Sequence, residues 1–210
     1  MCEFMMRCYV LGMVQTNCYF VWNSLTKDAI VIDPADDVER IEQYLKENGL
    51  VCKGILLTHG HFDHMMAARE LADRTGAKLY AHAQEEALLK DPKLNVSAQV
   101  DREVSLSPDL LICDQEILPL IGMEFTVLHT PGHTGGGVCY YLKKEGIVFS
   151  GDTLFFRSIG RTDLPTGDGR TLIESIKNKL MILEDQVKVF PGHGESTTIG
   201  YERMNNYYLS

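Results

Sequence analysis

The chain has 210 residues, a formal net charge of −9, and 45% hydrophobic against 23% charged residues. That length and balance suit one domain, residues 1–210, with a core of ordinary size that needs no disulfide staples. The acidic charge, without a basic run or a basic–aromatic stripe, argues against nucleic acid as a partner, and no apolar stretch approaches the roughly 20 residues of a membrane span.

The opening, MCEFMMRCYVLG, lacks a basic leader and an apolar run, so no signal peptide is expected. The six cysteines (Cys2, Cys8, Cys18, Cys52, Cys113, Cys139) are scattered and form no CxxC. They read as reduced, mostly buried small residues of a cytoplasmic protein. Strands are predicted over Tyr19–Trp22, Ala29–Ile32, Gly54–Thr58, Lys78–Ala81, Glu116–Leu120, Glu124–His129, Val138–Leu142, Ile147–Ser150 and Val187–Phe190. Helices are predicted over Val38–Asn48, His64–Thr75, Ala83–Leu89, Arg170–Leu183 and near Thr198–Tyr208. Gly76 is a natural C-cap for the second helix and Asp168 an N-cap for the fourth. Strands first, then strand–helix pairs around a hairpin-rich middle, suggest two packed β-sheets with helices outside. The stretch from Pro92 to Pro108 is the least patterned, and reads as a loop that covers a site or as a surface excursion.

The stretch LLTHGHFDHMMAA concentrates three histidines and an aspartate where a strand gives way to a helix. Side chains alternate along an extended chain, so His59 and His61 point the same way, about 6.6 Å apart. Two imidazoles at that spacing can converge on one metal ion. Asp63 and His64 follow the turn and aim elsewhere, which suits a second ion. Imidazole with carboxylate fits zinc, and also iron or manganese. More ligands are needed, and three other strand ends offer them: His133 in VLHTPGHTGGG, Asp152 in IVFSGDTLF and His193 in VKVFPGHGES. Each is an apolar run, a glycine that lets the chain turn sharply, and a ligand-type residue.

THGHFDH, HTPGHT, GDTLF and PGHG, in this order, resemble the metallo-β-lactamase superfamily, and within it the short glyoxalase II-like (hydroxyacylglutathione hydrolase-like) hydrolases. LGMVQTNCYFV, IDPAD and SIGRTDLPTGD fit the same group, so the resemblance spans nearly the whole chain. It implies an α+β fold, a four-layer αββα sandwich with two mixed sheets and helices outside. It also implies a two-metal centre in which His59, His61 and His133 hold the first ion, Asp63, His64 and His193 hold the second, and Asp152 bridges them. His129 then reads as a satisfied strand-end histidine or a supporting hydrogen bond, and His82 as a residue that helps start a helix. Asp33 either orients a ligand imidazole or forms the turn before Pro34.

Two divalent ions, nearly balanced by Asp63, Asp152 and a shared hydroxide, leave a small positive remainder inside an acidic protein. Such a pair lowers the pKa of a bridging water toward about 7 and polarises a substrate carbonyl. Asp63 is the expected catalytic residue, orienting the hydroxide and shuttling its proton. A thiolate leaves without a dedicated acid, because thiol pKa values lie near about 8.5. The favoured substrate is therefore a small-molecule acyl compound, a thioester of the S-lactoylglutathione type. Asp152 speaks against ordinary β-lactamases, whose largest group the resemblance gives a cysteine there. Full-length glyoxalase II enzymes carry a C-terminal helical region for glutathione, and here 17 residues follow His193. A glutathione conjugate would have to be held by Arg157, Arg161 and Lys143, with Tyr141 a further contact; Arg161 with Asp163 also reads as a plain ion pair. The rival readings are a mononuclear-iron persulfide dioxygenase, a lactone or phosphodiester hydrolase, and a metal-stabilised binding module without catalysis.

Overall fold

Phe20 and Val31 face one apolar cluster, while their neighbours Tyr19, Val21, Ile30 and Ile32 face another. Strands apolar on both faces must be covered on both, and this requirement generates the layers. The structure, a computed structural model, describes residues 3–209. The first sheet contains β1 (Phe4–Leu11), β2 (Thr16–Asn23), β3 (Asp28–Ile32), β4 (Val51–Leu56), β5 (Lys78–His82) and β6 (Leu110–Ile112), in that order. It is antiparallel up to β3 and parallel from β3 to β6. The second sheet is built from β7 (Ile117–Leu120), β8 (Met123–His129), β9 (Val138–Leu142), β10 (Ile147–Gly151), β13 (Lys188–Pro191) and β14 (Thr197–Thr198), in the order 14-13-10-9-8-7. Only β10 and β13 pair in parallel there. A small hairpin, β11 (Leu154–Phe155) with β12 (Ser158–Ile159), stands apart.

Between the sheets, Tyr19, Ile30 and Leu56 meet Phe125, Tyr140 and Phe149. On the outer face of the first sheet, Ile41 and Leu45 of α1 (Val38–Glu47) and Leu71 of α3 (Ala68–Thr75) pack on Phe20, Val31 and Ile55. On the outer face of the second, Leu172 of α5 (Gly169–Ser175), with Ile176 and Leu180 of the wider turn that continues it, covers Val148 and Val189. The result is the expected αββα sandwich. Asp168 caps α5 through Thr171 N, and Gly76 closes α3 in the left-handed conformation. Among the described residues no helix is long and apolar enough to cross a membrane. The five described cysteines are free, three of them buried; Cys2 lies outside the described residues.

Three predicted boundaries shift. The strand over Gly54–Thr58 runs instead from Val51 to Leu56, so Thr58 already belongs to the turn that carries His59. The helix predicted over His64–Thr75 is two, α2 (Phe62–Met65) and α3, because the chain bends at Met66–Ala67 to bring Asp63 and His64 back over the sheet edge. The third difference is that β1 and β6 escaped prediction: both are half-exposed edge strands, β1 interrupted by Arg7 and β6 only three residues long.

Candidate metal centre

Four chain segments end at one rim of the sandwich: the β4–α2 turn with His59 and His61, the β8–β9 turn with His133, the residue after β10, Asp152, and the turn after β13 with His193. Backbone bonds lock these ends together. Val138 N donates to Thr58 O at 2.8 Å, Gly192 N to Gly151 O at 2.8 Å, and Asn17 N to Gly192 O at 2.7 Å. Two glycines are required by space. A Cβ on Gly192 would lie 2.2 Å from Asp152 Oδ1 and 2.6 Å from His64 Cε1. A Cβ on Gly151, whose φ is +48°, would lie 2.4 Å from Thr58 Oγ1.

Possible ligand atoms fall into overlapping groups. His59, His61 and His133 form one, Asp63, His64 and His193 a second, and His59, His64 and Asp152 a third that joins them. Asp152 Oδ1 is 3.4 Å from His64 Nε2, and Oδ2 is 3.5 Å from both His133 Nε2 and His193 Nε2. All seven residues singled out as ligands thus meet at one place.

The outer atoms of the imidazoles fix which nitrogens face inward. His64 Nδ1 is 2.9 Å from Asp33 Oδ2, and a carboxylate only accepts, so Nδ1 carries the proton. His133 Nδ1 donates to Arg161 O at 2.7 Å. The Thr58 hydroxyl donates to Asp33 Oδ2 at 2.6 Å, so at 3.1 Å His59 Nδ1 must donate to Thr58 Oγ1. All three Nε2 atoms therefore face inward, and the neutral His59 and His133 bring Nε2 to Nε2 at 3.2 Å with no proton between them. Asp152 Oδ1 is buried with no hydrogen-bond partner among the described residues. Two lone pairs in contact and an orphaned carboxylate oxygen fit a cation at this position.

The electrostatics point the same way. Burial opposes charge on His64, but Asp63, Asp152 and Asp33 overcome it and hold its pKa well above the usual range. Burial also opposes charge on His193, and hydrogen bonds to Asp152 and Asp63 raise it to about 9. Burial pushes His59 well below its usual value and His61, with His133 beside it, down to about 3. Asp63 falls to about 2 despite burial, chiefly through His64. The second ligand group draws in positive charge, and the first is neutral imidazole with free lone pairs.

The metallo-β-lactamase superfamily profile matches residues 11–193. The chain belongs to the metallo-β-lactamase superfamily. Hydroxyacylglutathione hydrolase GloC of Haemophilus influenzae is 38% identical over 202 residues, with 93% of each chain covered. The solved structure of BLEG-1 B3 metallo-β-lactamase superposes with a TM-score of 0.93 at 41% identity, covering 98% of this chain and 100% of that one. TTHA1623, solved in a di-iron-bound form, superposes with a TM-score of 0.86 at 36% identity, covering 97% and 100%. Within the superfamily fold, the seven ligand-type residues share one rim of the sandwich.

The outlying predictions separate. Asp33 is buried at the end of β3 and orients His64, while also accepting from Thr58 N at 2.8 Å. His82 caps the following turn through Gln84 N at 3.3 Å and stacks on His129, with ring centroids 4.1 Å apart. His129 Nε2 reaches Gly135 O at 3.0 Å, so it is a satisfied strand-end residue. Arg161 forms a two-pronged pair with Asp163 at 2.7 Å, exposed on both sides, and it is the Arg161 carbonyl that serves the centre. Tyr141 and Lys143, expected to contact substrate, are placed away from the ligand cluster by the direction of β9. Val138 opens that strand at the rim, so Tyr141 and Lys143 lie roughly 10–16 Å further along. Tyr141 packs with the layer under α5, and Lys143 sits in the turn to β10.

Two supporting residues were not anticipated. The Thr16 hydroxyl donates to Asp63 Oδ2 at 2.9 Å. Glu85 is buried between the two histidine loops, with Oε1 accepting from Gly60 N at 2.9 Å and Oε2 from Gly136 N at 2.7 Å. A glutamate in QEEALL carries no local mark that separates Glu85 from Glu86, which instead pairs with Lys90 on the surface.

Asp33→Asn tests the support of His64. An amide keeps only one of the two acceptor oxygens, so its NH2 faces either Thr58 N or the pair Thr58 Oγ1 and His64 Nδ1, and the remaining oxygen carries less charge toward His64. The expected result is about 10–100-fold weaker binding at the second ligand group, as for other supporting partners of metal-bound imidazoles. Titration of metal-free protein by calorimetry checks it, and unchanged affinity would show that Asp33 is only a turn residue.

Proposed function

We propose that the chain is a metal-dependent hydrolase that cleaves a thioester of the S-lactoylglutathione type. The observation that carries this reading is the convergence of seven ligand-type side chains in overlapping groups, with Asp152 within 3.5 Å of imidazoles from the first and the second. His59, His61 and His133 would hold one divalent ion, and Asp63, His64 and His193 the other, with Asp152 common to both; zinc suits this donor set, and iron or manganese also fit. When bound, such a pair supplies Lewis acidity and a nucleophilic water at neutral pH. The chain's own residues do the rest. Asp63 stays ionised and is held by Thr16, so its carboxylate can orient the attacking water and pass its proton on. Asp33, Thr58 and the Arg161 carbonyl keep three imidazoles in the tautomer that faces inward. A thiolate leaving group needs no acid from the protein. The name of the Haemophilus relative supports the same substrate class.

The test is one preparation measured two ways: metals per chain, then turnover of S-lactoylglutathione, a simple lactone and glutathione persulfide. Two ions with thioester hydrolysis are expected. One iron with oxygen consumption on the persulfide would replace this reading with a dioxygenase, and lactone turnover alone would replace the thioester.

A further inference from the structure

A cavity of about 200 Å³ opens beside Asp63. Asp63 forms part of its lining, so the cavity adjoins the second ligand group. Met13, Phe62, Met66 and Val100 supply apolar wall. Asp101 and Arg102 are exposed at the mouth with Asp36, and Arg102 lies 3.9 Å from Asp36 Oδ1. The single cation is therefore answered by two carboxylates, and the mouth is acidic on balance.

We infer that this cavity receives the acyl group of the substrate, and that the group is neutral and apolar, about the size of a six-carbon chain or a phenyl ring; the inference rests on the hydrolase reading. The reacting carbonyl must lie against Asp63 and the ligand cluster. Its first acyl carbons then lie next to the cavity that Asp63 helps to line. A dry cavity of about 150 Å³ lined by aliphatic and aromatic side chains holds benzene, so this volume suits a group slightly larger. Met13 and Met66 are flexible thioethers that can adapt to chains of different shape. The thiol half of a glutathione-type thioester is a charged peptide. Its carboxylates would face Asp36 and Asp101 here, so the leaving group departs by another side. A carboxylate-bearing acyl group is disfavoured for the same reason.

The experiment compares acetyl, lactoyl, hexanoyl, phenylacetyl and succinyl thioesters of one small thiol, N-acetylcysteamine, on the metal-loaded protein. Each buried methylene adds about fourfold at most, so kcat/KM is expected to rise at least tenfold from acetyl to hexanoyl and to fall for succinyl. Val100→Phe is expected to bring the hexanoyl-to-acetyl ratio close to one. Independently of turnover, 1-hexanol is expected to shift the methyl resonances of Met13 and Met66 but not that of Met204, exposed on the helix over Ile199–Asn205. A flat neutral series or a succinyl preference overturns the cavity assignment and leaves the hydrolase reading intact. No turnover of any thioester, with the methyl shifts present, overturns the hydrolase reading and the acyl assignment with it.

Discussion

Asp152→Ala is expected to lose metal occupancy and activity together. Asp152 lies within 3.5 Å of imidazoles from both ligand groups, and its Oδ1 is buried with no hydrogen-bond partner among the described residues. Removing it takes an anion from between His64, His133 and His193 and leaves those groups to repel one another. Lewis-acid activation is worth several kcal/mol, and each 1.36 kcal/mol is tenfold, so a loss of about 10³-fold in kcat/KM is the expected scale. Stability should fall as well, because an ion at 100 times its Kd contributes about 2.7 kcal/mol that the variant cannot recover. His82→Ala is the matched control: it removes a buried histidine that caps a turn and stacks on His129, so metal content should hold and activity stay within about twofold. Elemental analysis and steady-state rates on the two variants check this. An Asp152→Ala protein with two ions per chain and normal rates would remove the basis of the metal centre.

Glu85→Ala should be the most damaging change outside the ligands. It strands two buried backbone N–H groups, Gly60 between the first two histidines and Gly136 beyond His133. Each unsatisfied donor costs about 1–3 kcal/mol. Burial pushes the Glu85 carboxyl pKa up against those two amides, so part of the loss is recovered when the acid is removed. A net destabilisation of about 3 kcal/mol lowers the melting temperature by roughly 6–12 °C in a chain of this length. Because both loops bear ligands of the first group, metal affinity there should drop too. Glu85→Gln keeps one acceptor and should lie between the two. Adaptation is sterically blocked, since a Cβ on Gly136 would lie 2.4 Å from Glu85 N. Thermal melts of metal-free and metal-loaded protein read both effects, and a variant that melts and loads like the parent would show that the clamp is incidental.

His59, His61, Asp63 and His64 were legible because their signal is local. Alternation along a strand, a turn and a helix start occur within six residues, and no distant segment is needed to see that the side chains diverge toward two points. The strand-ending glycines before Asp152 and His193 were legible for the same reason, although at Gly192 the cause is crowding by Asp152 and His64 and not its backbone angle. The distance of Tyr141 and Lys143 from the cluster is a matter of strand orientation. The residue pattern marks a strand but not which of its ends meets the rim, and β9 enters at the rim and runs away from it.

By itself, then, the amino-acid order determined the layers, the two sheets and the identities of the candidate metal ligands, since periodicity and turn chemistry act over a few neighbours. Tertiary structure alone decided that Glu85 joins loops 25 and 51 residues away, that Thr16 holds Asp63 across 47 residues, and that Met13, Phe62 and Val100 enclose one cavity. Those contacts depend on where segments remote in the chain are brought together by core packing, and no local propensity carries that information.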